Sequence, residues 1–443
     1  MYDKKFKTIF EYAKDKTDDI EIMLIADNSF SVRINEQEIE SFKYADSKGI
    51  SVRVIKDGNV GYAYTEKFDS ETFRMIVDEA VENSKFSEND EVVSLENYPD
   101  INVKLNVYSE ELDKVDVEDK IIFAKEMEKQ AKELDKRVFN VPYSMYGDGK
   151  SFLKIANSKG LDKEDTQNSA YGFCVVLTQE EDDKRSGLDF AIGRDFSKFD
   201  AKKLADKSVE KAVSLLGGKQ VESGKYPVVF NNDMMATMLS TFSSIFSAKS
   251  VQEGKSLLKG KLEEQIANEK VTIVDDALYP EGFSTRAFDS EGYPSQKTML
   301  LEKGKLKSFL HNTQTARKDG VKSTGNGSRS YKGSLNISPS NFYLEQGNIK
   351  EEDLFKKHAK TIEIVALQGM HSGANPISGD FSLSAEGFLY QDGKRLHSLK
   401  QFTVSGNILQ LLKDVEMIAD NFKFDMDSIG AASVLIKELA ISG

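Results

Sequence analysis

The sequence predicts an α+β protein, with an N-terminal α/β part built from helix–antiparallel-strand–helix units and a larger, mainly β C-terminal domain. Helical and strand-like segments occur in groups and do not alternate one for one, so a parallel doubly wound sheet is not expected. Short turns such as Lys56-Asp57-Gly58-Asn59 separate runs with period-two alternation, as in β-hairpins. The 443 residues exceed the roughly 250 to 300 at which a single core stops growing. More than one domain is therefore predicted.

An N-terminal module is predicted over residues 1–95. Apolar residues at helical spacing indicate a first helix through Phe6, Ile9 and Ala13, and strands are expected over residues 20–64. A second helix follows, with Ser70 as its predicted cap. Its apolar face is formed by Phe73, Ile76, Val77, Ala80, Val81 and Ser84. The polar stretch over residues 86–100 then indicates a module boundary.

A central module is predicted over residues 105–220. It begins with a helix through Ile121, Ala124, Met127, Ala131 and Leu134. Strands run from there to about Ile192, and a last helix starts at Asp200 and stops at Gly217-Gly218, where a left-handed cap is expected. Helix, strands and helix thus occur twice in the chain, which weakly indicates a duplicated unit.

The C-terminal domain is predicted over residues 224–443. It opens with a strand at Tyr226–Phe230, continues into a helix near residues 232–248 and is mostly β afterwards. Turns are expected at residues 303–305 and 392–394. One late helix is predicted from the apolar residues at 408, 409, 411, 412, 415, 418 and 419, with Ser405, Gly406 or Asn407 as its cap.

Charge and cysteine content narrow the classes of function. The formal net charge of −13 argues against a surface that neutralises phosphates, so direct nucleic-acid binding is not expected. The single Cys174 sits in an apolar, strand-like run and is predicted to be a small core residue of a protein in a reducing compartment. The N-terminal residues lack the unbroken apolar stretch of a signal peptide, and the longest uncharged window is too short to span a bilayer. A cytoplasmic location is expected.

The residue types needed for hydrolysis are not arranged in a known catalytic pattern. The histidines are His311, His358, His371 and His397, and none of them pairs at the spacing that places two zinc ligands on one helix face. Ser-x-x-Lys occurs three times, at Ser151/Lys154, Ser208/Lys211 and Ser256/Lys259, which chance explains in a chain rich in both residues. We therefore predict no catalytic residue, no metal and no cofactor in this chain.

Residues 371–387 form the most unusual polar segment. Turn chemistry over residues 371–379 leads into a strand whose residues 381, 383 and 385 are apolar and whose residues 382, 384 and 386 are polar. Such a strand suits the wall of a polar or peptide-binding cavity, and an ordinary hairpin entry is the alternative. The candidate wall residues are Asn375, Ser378, Asp380, Ser382 and Ser384. The Gly- and Ser-rich residues 323–333 are interpreted as a mobile surface loop or a loop that lines substrate.

Several segments, in order, resemble the PmbA branch, also called TldE, of the TldD/PmbA family. They are Lys48–Val54 with Asp57-Gly58 and Gly61, Asn157–Gly160, Gly224–Val229, Asp275-Asp276, Phe288–Gly292, Ser323–Asn326, Asn375–Ser382 and Val404–Asn407. No single segment is decisive, but their order and spacing together are specific. The resemblance implies an N-terminal α/β part and a larger, mainly β C-terminal domain.

The resemblance also implies where a zinc site has been lost. TldD-type subunits of the family carry HExxxH on the helix after the strand that is Pro227–Phe230 here, with a cysteine near the C-terminus as a third ligand. The corresponding hexapeptide is Leu239–Ser244, so Leu239, Ser240 and Ser244 replace the two ligands and the glutamate base. No cysteine follows Cys174. Isobutyl and hydroxyl groups do not hold zinc, so the implied role is that of an inactive partner.

The implied function is that of a non-catalytic subunit in a metallopeptidase complex that degrades or matures unfolded peptides. Its expected partner is a TldD-type subunit, which would carry the zinc, or a second copy of itself. Two alternatives remain open at this point: an independent hydrolase with an unrecognised site, and a protein-binding regulator of DNA gyrase.

Overall fold

The computed structural model describes residues 2–86, 94–280 and 282–443. It has the predicted α+β class. The helices are α1 Asp3–Ala13, α2 Ser70–Ser84, α3 Glu110–Asp113, α4 Val117–Leu134, α5 Ala201–Ser214, α6 Asn232–Phe242, α7 Ala248–Gln252, α8 Thr313–Asp319, α9 Glu351–Leu354, α10 Met370–Gly373 and α11 Ile408–Lys413.

The strands lie in two N-terminal groups and one long C-terminal group. The N-terminal strands are β1 Asp19–Asn35, β2 Glu38–Lys56, β3 Asn59–Thr65, β4 Val138–Asn157, β5 Asp162–Glu180 and β6 Asp183–Gly193. The C-terminal strands are β7 Gly224–Phe230, β8 Ile273–Asp276, β9 Lys297–Glu302, β10 Lys305–Leu306, β11 Gly327–Ser328, β12 Asn336–Ile337, β13 Phe342–Leu344, β14 Lys360–Gln368, β15 Asp380–Gln391, β16 Lys394–Ser398, β17 Phe402–Asn407, β18 Val415–Ile418, β19 Lys423–Phe424, β20 Ile429–Ala431 and β21 Val434–Ser442.

The first six strands form one antiparallel sheet in the order β3-β2-β1-β4-β5-β6. Two long strands meet at its centre, where β1 pairs with β4 from Glu21 opposite Asn157 to Ile34 opposite Ser144. The N-terminal and central modules therefore share a single sheet. The order α1, β1–β3, α2 recurs as α4, β4–β6, α5 on either side of this central pair. This arrangement is what a duplicated unit would produce.

The four long helices of this part cover one face of the sheet. Even-numbered side chains of β1 point to that face: Ile22 packs in the cluster with α1 and α2, and Val32 packs in the cluster with α4 and α5. The odd-numbered side chains consequently point to the opposite face, because strand side chains alternate. On this second face Met23 packs against Ile155 and against Phe288 of the C-terminal domain. The helix-free face is therefore the one that meets the C-terminal domain.

The C-terminal domain contains a closed sheet and a second, open sheet. Strands β14, β7, β21, β17 and β15 pair in that order, and β14 also pairs with β15, which closes the ring. The second sheet has the order β10-β9-β8-β13-β20-β19. Helix α6 contacts β7 and β14 of the first sheet and β19 and β20 of the second. The helix thus lies between the two sheets, in the largest hydrophobic core.

Two local predictions were wrong. The cap of α2 is Asp69, whose carboxylate accepts from the backbone N–H of Thr72, and Ser70 is the first helical residue. The late helix ends at Lys413, because Val415–Ile418 leave the helix and pair with β21 as strand β18. The predicted cap Asn407 is confirmed, since its side chain accepts from the N–H of Leu409.

The single cysteine lies where the sequence predicted it. Cys174 is fully buried on β5, and burial raises the pKa of its thiol to about 12. A thiol held so firmly in its protonated form is a packing residue and a poor nucleophile. Across the described part of the chain, no helix is both long enough and apolar enough to cross a membrane.

Candidate functional site

A cleft of about 1100 Å³ lies between the two parts of the molecule. It lies where the end of β6 and the segment that follows it approach the second sheet of the C-terminal domain. Strand β6 is an edge of the first sheet, and β19 is an edge of the second. Helix α5 covers part of the β6 edge, because Ser208 accepts from the N–H of Asp189 at 2.9 Å and Lys211 donates to the carbonyl of Leu188 at 2.9 Å. The segment Phe190–Gly193 beyond it lines the cleft.

Aromatic side chains from both parts of the molecule contribute to the cleft lining. In the C-terminal part, the ring centroids of Phe424 lie 5.0 Å from those of Tyr279 and of Phe422, in edge-to-face contacts. The other aromatic lining residues are Tyr108, Phe190, Phe196, Phe199 and Phe283. Aromatic walls bury large apolar side chains, and free strand edges bind an extended backbone, so this cleft has the two features that recognise an unfolded peptide.

A smaller cavity of about 300 Å³ adjoins the cleft on the helix-free face of the first sheet. Its polar lining includes Asp27, Ser151 and Gln167, and it shares Arg194 and Phe283 with the cleft. The guanidinium of Arg194 donates from Nε to the carbonyl of Val107 at 3.0 Å. Its Nη1 and Nη2 atoms lie 3.4 and 3.5 Å from the carbonyl of Gly282. Arg194 thus contacts both parts of the molecule at the junction of the two cavities.

A chain of ion pairs crosses between the two parts at the rim of the cleft. The ammonium of Lys211 lies 3.0 Å from Asp189 and 3.5 Å from Asp233, and that of Lys423 lies 3.3 Å from Asp233. Lys423 also stands over the ring of Phe190, 4.1 Å from its centroid. Although burial opposes the ionised form, the two lysines hold the pKa of Asp233 below its ordinary value. These pairs fix the start of α6 beside the end of β6.

The predicted degenerate zinc positions lie farther along α6 and do not share one environment. Leu239 is 3% exposed and packs in the C-terminal core. Ser240 is half-buried, and its carbonyl accepts from the hydroxyl of Ser243 at 2.9 Å. Ser244 is exposed and lies in a 3-10 turn, Ser243–Phe246, which follows the α-helix. The alignment of these residues with HExxxH remains a prediction.

The side chains around these positions do not fit a zinc ion. Leu239 offers no ligand atom, and a serine hydroxyl is not among the usual protein ligands of zinc. Residues 425–428 lie between strands β19 and β20, both of which contact α6. Among them, Asp425 has a pKa raised by burial to about 6. No group of three or more His, Cys, Asp or Glu side chains within residues 2–86, 94–280 and 282–443 is placed to hold a metal.

The four histidines lie in four separate environments. His311 is buried, and burial lowers the pKa of its imidazole. His358 lies 2.5 Å from the carboxylate of Glu416, His371 is exposed, and His397 contacts the carbonyl of Ser398. They provide neither a ligand set nor a catalytic pair.

The Ser151/Lys154 pair is not arranged for nucleophilic catalysis. Ser151 points to the helix-free face of β4, where it lines the small cavity. Lys154, three residues on, points to the opposite face and contacts the carboxylates of Asp3, Asp162 and Glu164. Although burial disfavours its charged form, these carboxylates raise the pKa of Lys154. A lysine that acts as a base needs the opposite shift.

Of the candidate wall residues, Asp380, Ser382 and Ser384 lie on the outer face of the closed sheet, and Asn375 and Ser378 lie in the segment that precedes β15. Asn375, Ser378, Asp380 and Ser382 are exposed and Ser384 is half-buried, while the alternate residues Phe381, Leu383 and Ala385 are buried as predicted. They are not among the residues that line the cleft. Asn407 donates to Asp380 at 2.9 Å, and Ser405 donates to Ser382 at 3.0 Å. These residues form a polar strip along β15 and β17, and their role in peptide binding remains a prediction.

A buried network of charges joins the N-terminal sheet to the C-terminal domain. Glu21 of β1 accepts from Arg53 of β2 at 2.9 Å and forms an ion pair with Arg329 of the C-terminal domain. Arg53 in turn lies 3.8 Å from Glu291. The side chains of all four residues are at most 5% exposed. Complementary charges this deeply buried fix the relative orientation of the groups that carry them.

The same region contains two more buried carboxylates. Asp289 accepts from the backbone N–H of Glu291, Tyr293 and Gly327, yet burial and the neighbouring Glu291 raise its pKa. Asp275 accepts from Asn326 at 2.7 Å, and burial raises its pKa as well. Residues 323–333 were interpreted from sequence as a mobile surface loop or a loop that lines substrate, and residues 323–329 of that loop are buried over most of their length. Ser323, Thr324, Asn326 and Arg329 are all at most 9% exposed.

Three residues described above were not predicted from the sequence to have a role. Glu21, Arg194 and Arg329 stand in strand-like or loop segments with ordinary surface composition, and their partners are distant in sequence. The family resemblance pointed to part of this region. Three of its segments, Lys48–Val54, Phe288–Gly292 and Ser323–Asn326, contain Arg53, Asp289, Glu291 and Asn326. The cleft itself had no signal in a single sequence.

Family models match three successive parts of the chain. They are described as PmbA/TldA metallopeptidase domain 1 over residues 20–84, the central domain over residues 110–216 and the C-terminal domain over residues 223–443. A Metalloprotease PmbA homolog of Buchnera aphidicola is 24% identical over 445 residues, which cover 99% of this chain and 96% of that protein.

Two solved structures have the same fold. A Thermotoga maritima protein, whose name refers to modulation of a DNA gyrase, is 31% identical with a TM-score of 0.93, and the match covers 100% of both chains. TldE from Thermococcus kodakarensis has a TM-score of 0.90 at 24% identity, over 99% of this chain and 100% of that one.

Proposed function

The chain belongs to the TldD/PmbA family of metallopeptidases, and from this membership we propose that it is a non-catalytic subunit of a two-subunit peptidase. In this proposal a TldD-type subunit supplies the zinc and cuts the peptide. The present chain holds unfolded peptide close to that site. Its single buried cysteine supports a reducing, cytoplasmic setting for the complex.

One observation carries this proposal. The positions that the family resemblance aligns with HExxxH are Leu239, Ser240 and Ser244, and Leu239 is packed in the hydrophobic core. A metallopeptidase needs ligands that leave an open coordination position for water and substrate. A core leucine provides neither a ligand nor that opening, so the chain can contribute binding but not zinc chemistry.

The cleft supports the binding role. It combines aromatic walls with the ends of two edge strands, β6 and β19, so an extended peptide can bury apolar side chains and pair its backbone. Peptides that are already folded have satisfied their backbone groups internally and lack this option. Selection of unfolded segments follows from that difference.

Cleavage of an unfolded peptide by the chain alone, by a TldD-type partner alone and by their mixture tests the proposal. We expect no cleavage by this chain alone and faster cleavage by the mixture than by the partner alone. Elemental analysis of the purified chain should find no stoichiometric transition metal. Cleavage by the chain alone, or about one zinc per chain retained through dialysis against a mild chelator, would contradict the proposal.

A further inference from the structure

Arg194 is half-buried where the cleft meets the small cavity, and it forms no ion pair with a described residue, unlike the fully buried arginines. Arg53, Arg185 and Arg329 each form an ion pair with at least one carboxylate. The described contacts of Arg194 are to the backbone carbonyls of Val107 and Gly282 and to the face of the Phe283 ring, 5.7 Å from its centroid. Its positive charge is therefore not neutralised by a described side chain.

The guanidinium also keeps hydrogen-bonding capacity. An arginine side chain has five N–H groups, and Arg194 uses three of them, two in long contacts to a single carbonyl. Two N–H groups remain at the junction of the cleft and the small cavity. Burial without a counter-charge lowers the pKa of Arg194. An anion bound at this point would offset that desolvation.

The shape of the surroundings limits what the anion can belong to. The cleft of about 1100 Å³ is at the upper end of the volumes that enclose a small molecule, and it is open between two strand edges. The ring of Phe283 is the wall beside Arg194, and Phe190 is another aromatic residue of the cleft lining. A ligand that fits has a carboxylate at one point and apolar groups along an extended chain.

We propose that Arg194 anchors a carboxylate of an extended peptide whose apolar side chains occupy the aromatic cleft. The carboxylate is either the C-terminus of the peptide or the side chain of an Asp or Glu. This inference rests on the proposed peptide-binding function. It adds a chemical preference that the family membership does not supply: peptides with a carboxylate next to large apolar residues bind more tightly than neutral ones.

Three matched peptides with a neutral fluorophore test this inference by fluorescence anisotropy on the full chain. The first has a free C-terminus and no acidic side chain, the second is amidated with one central Glu, and the third is amidated with Gln in its place. We expect the first or the second to bind at least about tenfold more tightly than the third, as a charge-assisted hydrogen-bond pair implies. Which of the two binds identifies the source of the carboxylate.

Substitutions then assign the preference to Arg194. Arg194→Gln should abolish the preference, and Arg194→Lys should weaken it, because an ammonium keeps the charge but not the planar fork. The matched control is Arg137→Gln, which removes an arginine that is already paired with Asp135 at 2.7 Å and should leave the preference intact. Thermal melting confirms that each variant is folded. If Arg194→Gln does not fold, the effect of Arg194→Lys on the peptide preference tests the assignment of Arg194.

Each outcome separates this inference from the function on which it rests. If all three peptides bind equally, or if Arg194→Gln or a folded Arg194→Lys keeps the full preference, the assignment of Arg194 is overturned and peptide binding stands. If none of the peptides binds, the peptide-holding role and the assignment of Arg194 are both overturned.

Discussion

The buried network around Glu21 makes a strong prediction about how the two parts of the molecule are held together. Glu21 is 1% exposed and is shared by Arg53 and Arg329, so Glu21→Gln removes the negative charge between two guanidinium groups without changing the size of the side chain. Breaking a buried ion pair by removing one partner costs about 3 to 5 kcal/mol. One acceptor oxygen survives in glutamine, so we expect a loss near the lower end, about 3 kcal/mol.

Urea unfolding, followed by circular dichroism and by the fluorescence of the 16 tyrosines, measures this effect. A chain of this length is not expected to unfold in two states, so the midpoint of the first transition is compared. The matched control is Glu11→Gln, which removes an exposed carboxylate 3.8 Å from Lys7 and should not move that midpoint measurably.

A double-mutant cycle with Arg329→Met identifies the pair itself. Once Glu21 is neutral, removing the facing guanidinium should cost less than it does in the wild type, so the double variant should be more stable than the sum of the single effects by at least about 1 kcal/mol. Additive effects, or a loss below about 1 kcal/mol for Glu21→Gln alone, would refute the reasoning that this ion pair joins the two parts.

Three other predictions follow from particular residues. Sedimentation should show a dimer, or a complex with a TldD-type subunit formed through the C-terminal region; a strictly monomeric chain that ignores that subunit would contradict the proposed role. The combination Leu239→His, Ser240→Glu and Ser244→His, with a cysteine replacing one residue of 425–428, should create weak zinc affinity with little or no turnover, measurable by calorimetry. The affinity stays weak because Leu239 is buried and Ser244 is exposed, and orienting groups around the histidines are missing; no zinc binding by a folded variant would show that the alignment with HExxxH is misplaced. Burial raises the pKa of Glu363 to about 7, so its contribution to stability is complete below pH about 4.5 and is lost as the pH rises through about 7. Relative to Glu363→Gln, the wild type should lose roughly 3 kcal/mol over that range, and parallel stability curves would exclude this carboxyl as the source.

Turns and helix faces could be predicted because their causes are local. In the hairpin at residues 56–59, Asp57 and Gly58 both have positive φ angles, 50° and 78°, the conformation that this pair of residues is known to adopt. The buried face of α2 and the alternation along β15 follow in the same way from spacing alone. The predicted end of the late helix was wrong because its cause is not local. Val415–Ile418 have helical spacing with Ile408 and Leu411, but they pair with β21, which supplies a partner for their backbone groups. The local sequence pattern determines the hairpin, the buried face of α2 and the alternation along β15, whereas a tertiary contact determines where the late helix ends.

The residues of the candidate site were harder to predict from the sequence than the turns and helix faces, because they come together only after the chain folds. Glu21 and Arg329 are 308 residues apart, and neither has a local signal of burial or pairing. Arg194 follows an edge strand, so the sequence alone suggests a surface residue. In the folded chain, the C-terminal domain places the carbonyl of Gly282 beside it. The resemblance pointed to the right segments, but it could not show that two of them, which supply Arg53 and Glu291, meet in one buried network.

Two features of the chain are separate in the structure: the charge network that orients the two parts, and the positions on α6 that the resemblance aligns with HExxxH. Arg53 and Glu291, from two of the segments that carry the resemblance, lie in the network that orients the N-terminal sheet against the C-terminal domain, and neither segment contributes a residue at Leu239–Ser244. The cleft depends on that orientation, because one wall comes from β6 and the other from the second C-terminal sheet. Substitution of zinc ligands on α6 would leave the charges of the network and the aromatic walls unchanged. If the zinc ligands have been lost from α6 as the resemblance implies, the cleft remains, which is what the proposed binding subunit needs.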